Sequence, residues 1–86
     1  MLNPDEFQNP IAFAFEAVGG IGAAAKICKK SYQALHKWRL ASSLPRTDYT
    51  GETRYAELLA EAAKVRGNPF DAEWLLDLSV PQKAAA

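Results

Sequence analysis

The stretch GGIGAAAKICKKSYQALHKW, residues 19–38, holds two helical patterns separated by three residues. Ile21, Ala24, Ala25 and Cys28 recur at three- and four-residue spacing, which puts them on one face of a short helix predicted over residues 21–28. Their side chains are mostly small, so another helix can approach that backbone closely. Lys29-Lys30-Ser31 breaks the pattern. Ser31 suits the N-cap of a helix beginning at Tyr32, because its hydroxyl accepts an N–H that the first turn leaves unpaired. In that helix Leu35 and Trp38 stand three apart with Ala34 beside them, and these are expected to face the core. Tyr32, Gln33, His36 and Lys37 are thereby turned to the other side.

Toward the N-terminus, Asn9 followed by Pro10 reads as a cap and first helical position. Ile11, Ala14, Phe15 and Val18 then form one apolar face, and Gly19-Gly20 supplies the backbone freedom that ends the helix. Toward the C-terminus, Ser42-Ser43-Leu44-Pro45 interrupts the periodicity and reads as a loop, with Leu44 able to tuck its side chain inward. Residues 46–49 are expected to form an irregular connector or a single turn. A fourth helix is expected to be capped by Thr50, with Gly51, Glu52 and Thr53 in its first turn and Tyr55, Leu58, Leu59 and Ala62 as its buried stripe. Gly67-Asn68-Pro69 ends it. Asp71 is placed to cap a fifth helix over residues 72–78, whose Trp74, Leu75 and Leu78 make an apolar face.

These segments add up to an all-α bundle of about five short helices. The 86 residues suit a single domain over residues 1–81, with residues 82–86 read as a flexible tail. A lone cysteine, Cys28, excludes an internal disulfide. No apolar run approaches the roughly 20 residues needed to cross a bilayer, and residues 1–9 are acidic and polar, unlike a basic leader. A cytoplasmic protein without membrane contact is expected. Enzyme chemistry is not expected either, since one histidine and one cysteine have no carboxylate arrangement around them, and Cys28 and His36 lack metal-ligand spacing. No cofactor or metal is called for. GGIG lacks the preceding strand and the glycine-lysine motif of a nucleotide loop.

The net charge is zero, but its distribution is polar. Residues 17–47 carry Lys26, Lys29, Lys30, Lys37, Arg39 and Arg46 without a carboxylate, while the rest of the chain holds ten acids against four bases. One cationic side can meet a phosphate backbone while the opposite side is repelled, which orients the encounter. Two short helices with a capped turn, the second presenting an aromatic, an amide, an imidazole and an ammonium, fit the requirement for a helix entering the major groove.

Residues 19–38 and the LP at positions 44–45 resemble the helix-turn-helix of phage Cro-like repressors and of the related YdaS-like prophage regulators or antitoxins. The adjoining LPRTDYTGETRYAELLAEA is similar to the region after their recognition helix. The resemblance implies a lambda-repressor-like fold and a dimeric, sequence-specific regulator of transcription that binds double-stranded DNA. It places Tyr32, Gln33, His36 and Lys37 at base-contacting positions, with Ser31 beside them at the helix start. Ala25, Leu35 and Trp38 fall at structural ones, with Cys28 as a further apolar anchor. Lys29 stands where a glycine is frequent, and Lys30 where an apolar residue is usual. Lys26, Lys29, Lys30, Ser31, Arg39 and Arg46 are assigned to phosphate, which positions the protein without reading sequence. Phe70, Trp74, Leu75 and Leu78 are more large apolar groups than a terminal segment needs; they either close the core or form a dimer surface, to which Phe13 and Phe15 are alternative contributors. An adaptor or antitoxin that uses the same scaffold on a protein partner, such as a toxin, is the principal alternative; RNA binding ranks lower, since no strand-rich module with exposed aromatics is recognisable.

Overall fold

A computed structural model describes Phe7 and residues 9–79, and all six regular elements among them are α-helices. They are α1 (Pro10–Ala17), α2 (Ile21–Cys28), α3 (Tyr32–Ala41), α4 (Arg46–Thr50), α5 (Tyr55–Val65) and α6 (Ala72–Leu78). The first three begin where the local signals place them. Asn9 Oδ1 accepts from the Ala12 N–H at 2.8 Å with Pro10 at the first helical position, and Ser31 Oγ accepts from the Ala34 N–H at 3.1 Å. Gly19 and Gly20 take φ of 109° and 111°, and the chain turns 84° between α1 and α2. A side chain is disfavoured there twice over: the backbone lies in the left-handed half of conformational space, and a Cβ on Gly19 would sit 3.2 Å from Arg66 Cζ.

The core is one cluster drawn from almost every element. Ile11, Ala14 and Phe15 of α1 meet Ala24, Ala25 and Cys28 of α2, Leu35 of α3, Ala56, Leu59 and Ala63 of α5, and Leu75 of α6. Leu44, in the loop after α3, is buried with them. Small residues on α2 and α5 allow the close packing of those two helices.

The middle of the chain departs from expectation. Of the two forms expected for residues 46–49, the chain takes the single turn, extended by Thr50 into the short helix α4, which brings the bundle of about five helices to six. Thr50 does not cap α5. It is the last residue of α4, its Oγ1 donating to the Thr47 carbonyl at 3.0 Å, and Gly51 with φ 89° ends that helix. The cap of α5 comes instead from Asp48: its Oδ1 accepts from the Tyr55 N–H at 2.6 Å and its Oδ2 from the Ala56 N–H at 3.0 Å. The Thr53 hydroxyl donates to the same Oδ1 at 2.8 Å. Because α5 starts at Tyr55, its buried row is Ala56, Leu59 and Ala63, and Leu58 stands 46% exposed outside the expected stripe.

At the C-terminal end, Asp71 occupies the N-cap position of α6 with extended backbone but makes no side-chain cap bond. Leu75 is fully buried, so it closes the monomer's core and is removed from the candidate dimer surface. Phe70 and Trp74 are half-buried, with ring centroids 5.8 Å and 5.5 Å from that of Phe13. Phe13 and Phe15 are themselves buried, which withdraws them as interface candidates. These aromatic contacts arise from helix packing, since α6 lies on both α1 and α5. The Tyr49 hydroxyl accepts from the Leu44 N–H at 2.9 Å and donates to the Ser79 carbonyl at 2.8 Å, tying the loop after α3 to the end of α6. Residues 80–86, including the expected tail, lie outside the described residues.

Candidate nucleic-acid interface

The α2–α3 pair positions the candidate surface. Lys29 caps α2 in the left-handed conformation, φ 57°, and the Lys30 N–H donates to the Ala25 carbonyl at 3.1 Å, so the turn closes in three residues without a glycine. Leu35, the fully buried anchor of α3, faces Ala25 and Cys28 in the core. Trp38 is half-buried against the same cluster, and its ring stacks at a tilt on Tyr55 of α5, centroids 5.1 Å apart. Burial at Leu35 and Trp38 fixes the rotation of α3 about its axis, and that rotation decides which side chains face outward.

Two rows face away from the core. Tyr32, His36 and Leu40 recur at four-residue spacing, with Tyr32 57% and Leu40 71% exposed and His36 half-buried between them. Gln33 and Lys37, both exposed, form the adjacent row. The structure therefore brings together all four residues assigned to bases. It adds Leu40, which the sequence pattern did not single out although its spacing from His36 marks the same row. His36 does not stand alone: an Arg39 guanidinium nitrogen lies 3.1 Å from its Nδ1. The Asn9 side-chain amide donates to the Arg39 carbonyl at 3.0 Å, joining this end of α3 to the start of α1.

The cations surround this face unevenly. Lys26, Lys29, Lys30, Lys37 and Arg46 are exposed, whereas Arg39 is half-buried with its guanidinium on His36. Lys30 Nζ sits 5.9 Å from the Tyr55 ring centroid, so part of its charge lies over an aromatic face. Among the described residues the ion pair present is Arg54 with Glu57 at 3.9 Å, at the start of α5. The cationic segment thus keeps its charge uncompensated by carboxylates at contact distance. Ser31 is exposed, and its bond to Ala34 makes it a cap first, at a helix N-terminus whose dipole attracts anions.

Cys28 is buried, and its thiol is pushed up to about 11 by loss of solvation and, secondarily, by the nearby Asp48 charge. A thiol so placed is a packing group, not a nucleophile. Among the described residues no group of three His, Cys, Asp or Glu side chains is arranged to hold a metal ion. Open grooves lie elsewhere, one between α5 and the start of α6 lined by Glu57, Glu61, Lys64 and Phe70, and neither includes an α3 side chain. No single helix among the described residues is long and apolar enough to cross a membrane.

The chain is similar to the 8.4 kDa Cro protein of Escherichia phage HK022, with 42% identity over 43 residues. The matched region is 50% of this chain and 57% of that relative's length. This likeness bears out the resemblance to phage Cro proteins, and the match spans little more than half of that relative's length. No family model matches the chain, and no solved structure matches it.

Proposed function

We propose that this protein is a Cro-like regulator of transcription that binds operator DNA by laying α3 in the major groove. The observation that carries this reading is the outward face of α3, where Tyr32, Gln33, His36 and Lys37 stand together on a helix whose rotation is set by buried Leu35. That combination of an amide, an imidazole and an ammonium matches the donor and acceptor pattern of base edges. The likeness to a phage Cro protein points the same way and favours a regulatory over an enzymatic role.

In this reading α2 holds α3 as the first helix of a helix-turn-helix holds the second. Gln33 pairs with adenine by donating to N7 and accepting from the N6 amino group; Lys37 donates to guanine or to a phosphate. Tyr32 and Leu40 present apolar surface to thymine methyl groups. Lys26, Lys29, Lys30 and Arg46 meet phosphates, and Ser31 brings the α3 N-terminus to one. A single recognition helix touches few base pairs, so the protein acts as a homodimer on two half-sites in the host cytoplasm. Among the described residues, Leu58 and Val65, seven residues apart on α5, and Leu78 on α6 are the large apolar groups left exposed outside α3; with half-buried Phe70 and Trp74 they are the candidates for the contact between copies, from which buried Leu75 is removed.

The test is selection of bound fragments from genomic DNA by the purified protein, repeated with Gln33→Ala and Lys37→Ala. Gln33→Ala is expected to lose preference at one base position and about 5- to 150-fold in affinity, corresponding to about 1–3 kcal/mol for a bidentate base contact. Lys37→Ala weakens binding as well. Unchanged affinity and preference in both variants would overturn the assignment.

A further inference from the structure

Arginine has no hydrogen-bond acceptor, so the 3.1 Å contact between its guanidinium and His36 Nδ1 has one chemical meaning: the guanidinium donates and Nδ1 accepts. The imidazole proton is then on Nε2, the nitrogen on the other side of the ring. His36 is one turn from exposed Tyr32 and one turn from exposed Leu40, on the row that faces away from the core. Arg39 is held in turn. It is half-buried, and its carbonyl accepts from Asn9 Nδ2 at 3.0 Å, while Asn9 itself caps α1 through Oδ1 at 2.8 Å.

We infer that His36 enters the groove as a hydrogen-bond donor through Nε2–H, and that Arg39 is the positioning residue that sets this polarity. The inference rests on the DNA-binding reading above and sharpens it. A ring locked in this state seeks an acceptor at the base edge: purine N7, guanine O6 or thymine O4. It disfavours the N4 amino group of cytosine, which is itself a donor. Arg39 accordingly leaves the set of phosphate contacts. Its charge is engaged three residues back along its own helix, and its effect on binding is confined to the base that His36 reads.

The two roles for Arg39 predict different measurements. Arg39→Met keeps most of the stem and removes the donor. The variant is expected to lose preference at the same single base position as His36→Ala, with the slope of log affinity against log salt unchanged from the parent. The double variant should be no weaker than either single one, because both remove one interaction. Should Arg39→Met weaken all sequences evenly and reduce the slope by about 0.9, the loss of one phosphate contact, the positioning role is wrong. It is equally wrong if the variant binds like the parent.

A second readout needs no DNA. His36 is the chain's single histidine, so two-bond proton–nitrogen correlation spectra of its ring are unambiguous. In the free protein at pH 8 the proton should be on Nε2, and the Nδ1 resonance should move on Arg39→Met. A proton on Nδ1, or an Nδ1 resonance indifferent to Arg39→Met, overturns the inference. If the ring behaves as expected but no duplex is bound, it is the DNA-binding reading that has failed.

Discussion

Asp48 is the residue on which the second half of the molecule turns. It is 5% exposed and carries three hydrogen bonds, two to backbone N–H groups at the start of α5 and one from the Thr53 hydroxyl. A buried carboxylate is costly unless so paired, and here the pairing falls on the positive end of a helix dipole. Asp48→Ala removes every acceptor at once and strands the buried Ala56 N–H and the part-buried Tyr55 N–H. A loss of about 2–4 kcal/mol of folding stability is expected, read as a lower urea midpoint at unchanged slope. Cys28 supplies a different signature. Its folded-state thiol is raised to about 11, above the unfolded value near 9, so the unfolded chain gives up its proton first as pH rises. The stability from the protonated thiol is intact below pH 9, declines between 9 and 11, and is lost above. The decline is at most about 3 kcal/mol. Urea midpoints of the parent should fall more steeply over that range than those of Cys28→Ala, and an equal fall in both would refute the assignment.

The helices and their turns show how local conformation and function pull apart. Lys29 sits at φ 57° with a full side chain, where a glycine carries no steric penalty. The residue is strained by about 1–2 kcal/mol, offset in part by the greater unfolded-state freedom that glycine would bring. Lys29→Gly is therefore expected to raise stability by about 0.5–1 kcal/mol, or several degrees in melting temperature for a domain of this size. The same change removes an exposed cation beside α3, so DNA affinity should fall while the melting temperature rises. Calorimetry and a binding titration on one preparation check both; a variant that loses stability would show that the lysine side chain, not its charge, supports the turn. The α2–α3 unit thus keeps strain in exchange for charge.

For the whole molecule the deciding feature is polarity. The cations of residues 17–47 have no carboxylate partner within salt-bridge distance among the described residues, and the chain's acids lie outside that segment. Binding to duplex DNA should then be strongly salt-dependent. If Lys26, Lys29, Lys30, Lys37 and Arg46 each displace a counterion, the slope of log affinity against log salt is about −4.5 per protomer and about −9 for a dimer. An apolar protein partner would give a shallow slope. Sedimentation at micromolar protein with and without DNA tests the dimer, and monomer under both conditions would reject it. Leu58→Glu with Val65→Glu should abolish self-association and leave the solution fold intact, since both side chains already face solvent.

Much of this architecture is legible from short stretches of the chain. The caps at Asn9 and Ser31, the Gly19-Gly20 stop, the burial of Leu35 and the outward turn of Gln33 and Lys37 rest on interactions within a few residues or on helical period alone. Those signals survive in a linear reading because their partners are adjacent in sequence. Asp48 capping α5, Phe13 gathering Phe70 and Trp74, and Arg39 locking the His36 ring are not visible in that way. The first two join residues brought together only when the helices pack, and the third selects one of several partners open to an arginine on a helix surface. Sequence by itself determined where most helices start and which face of α3 is polar, since those depend on local hydrogen bonding and on a 3.6-residue repeat. Only the tertiary structure decided which carboxylate caps α5 and that Leu75 serves the core, because both are settled by where another helix places its atoms, and only the side-chain arrangement on α3 decided which partner the Arg39 guanidinium takes.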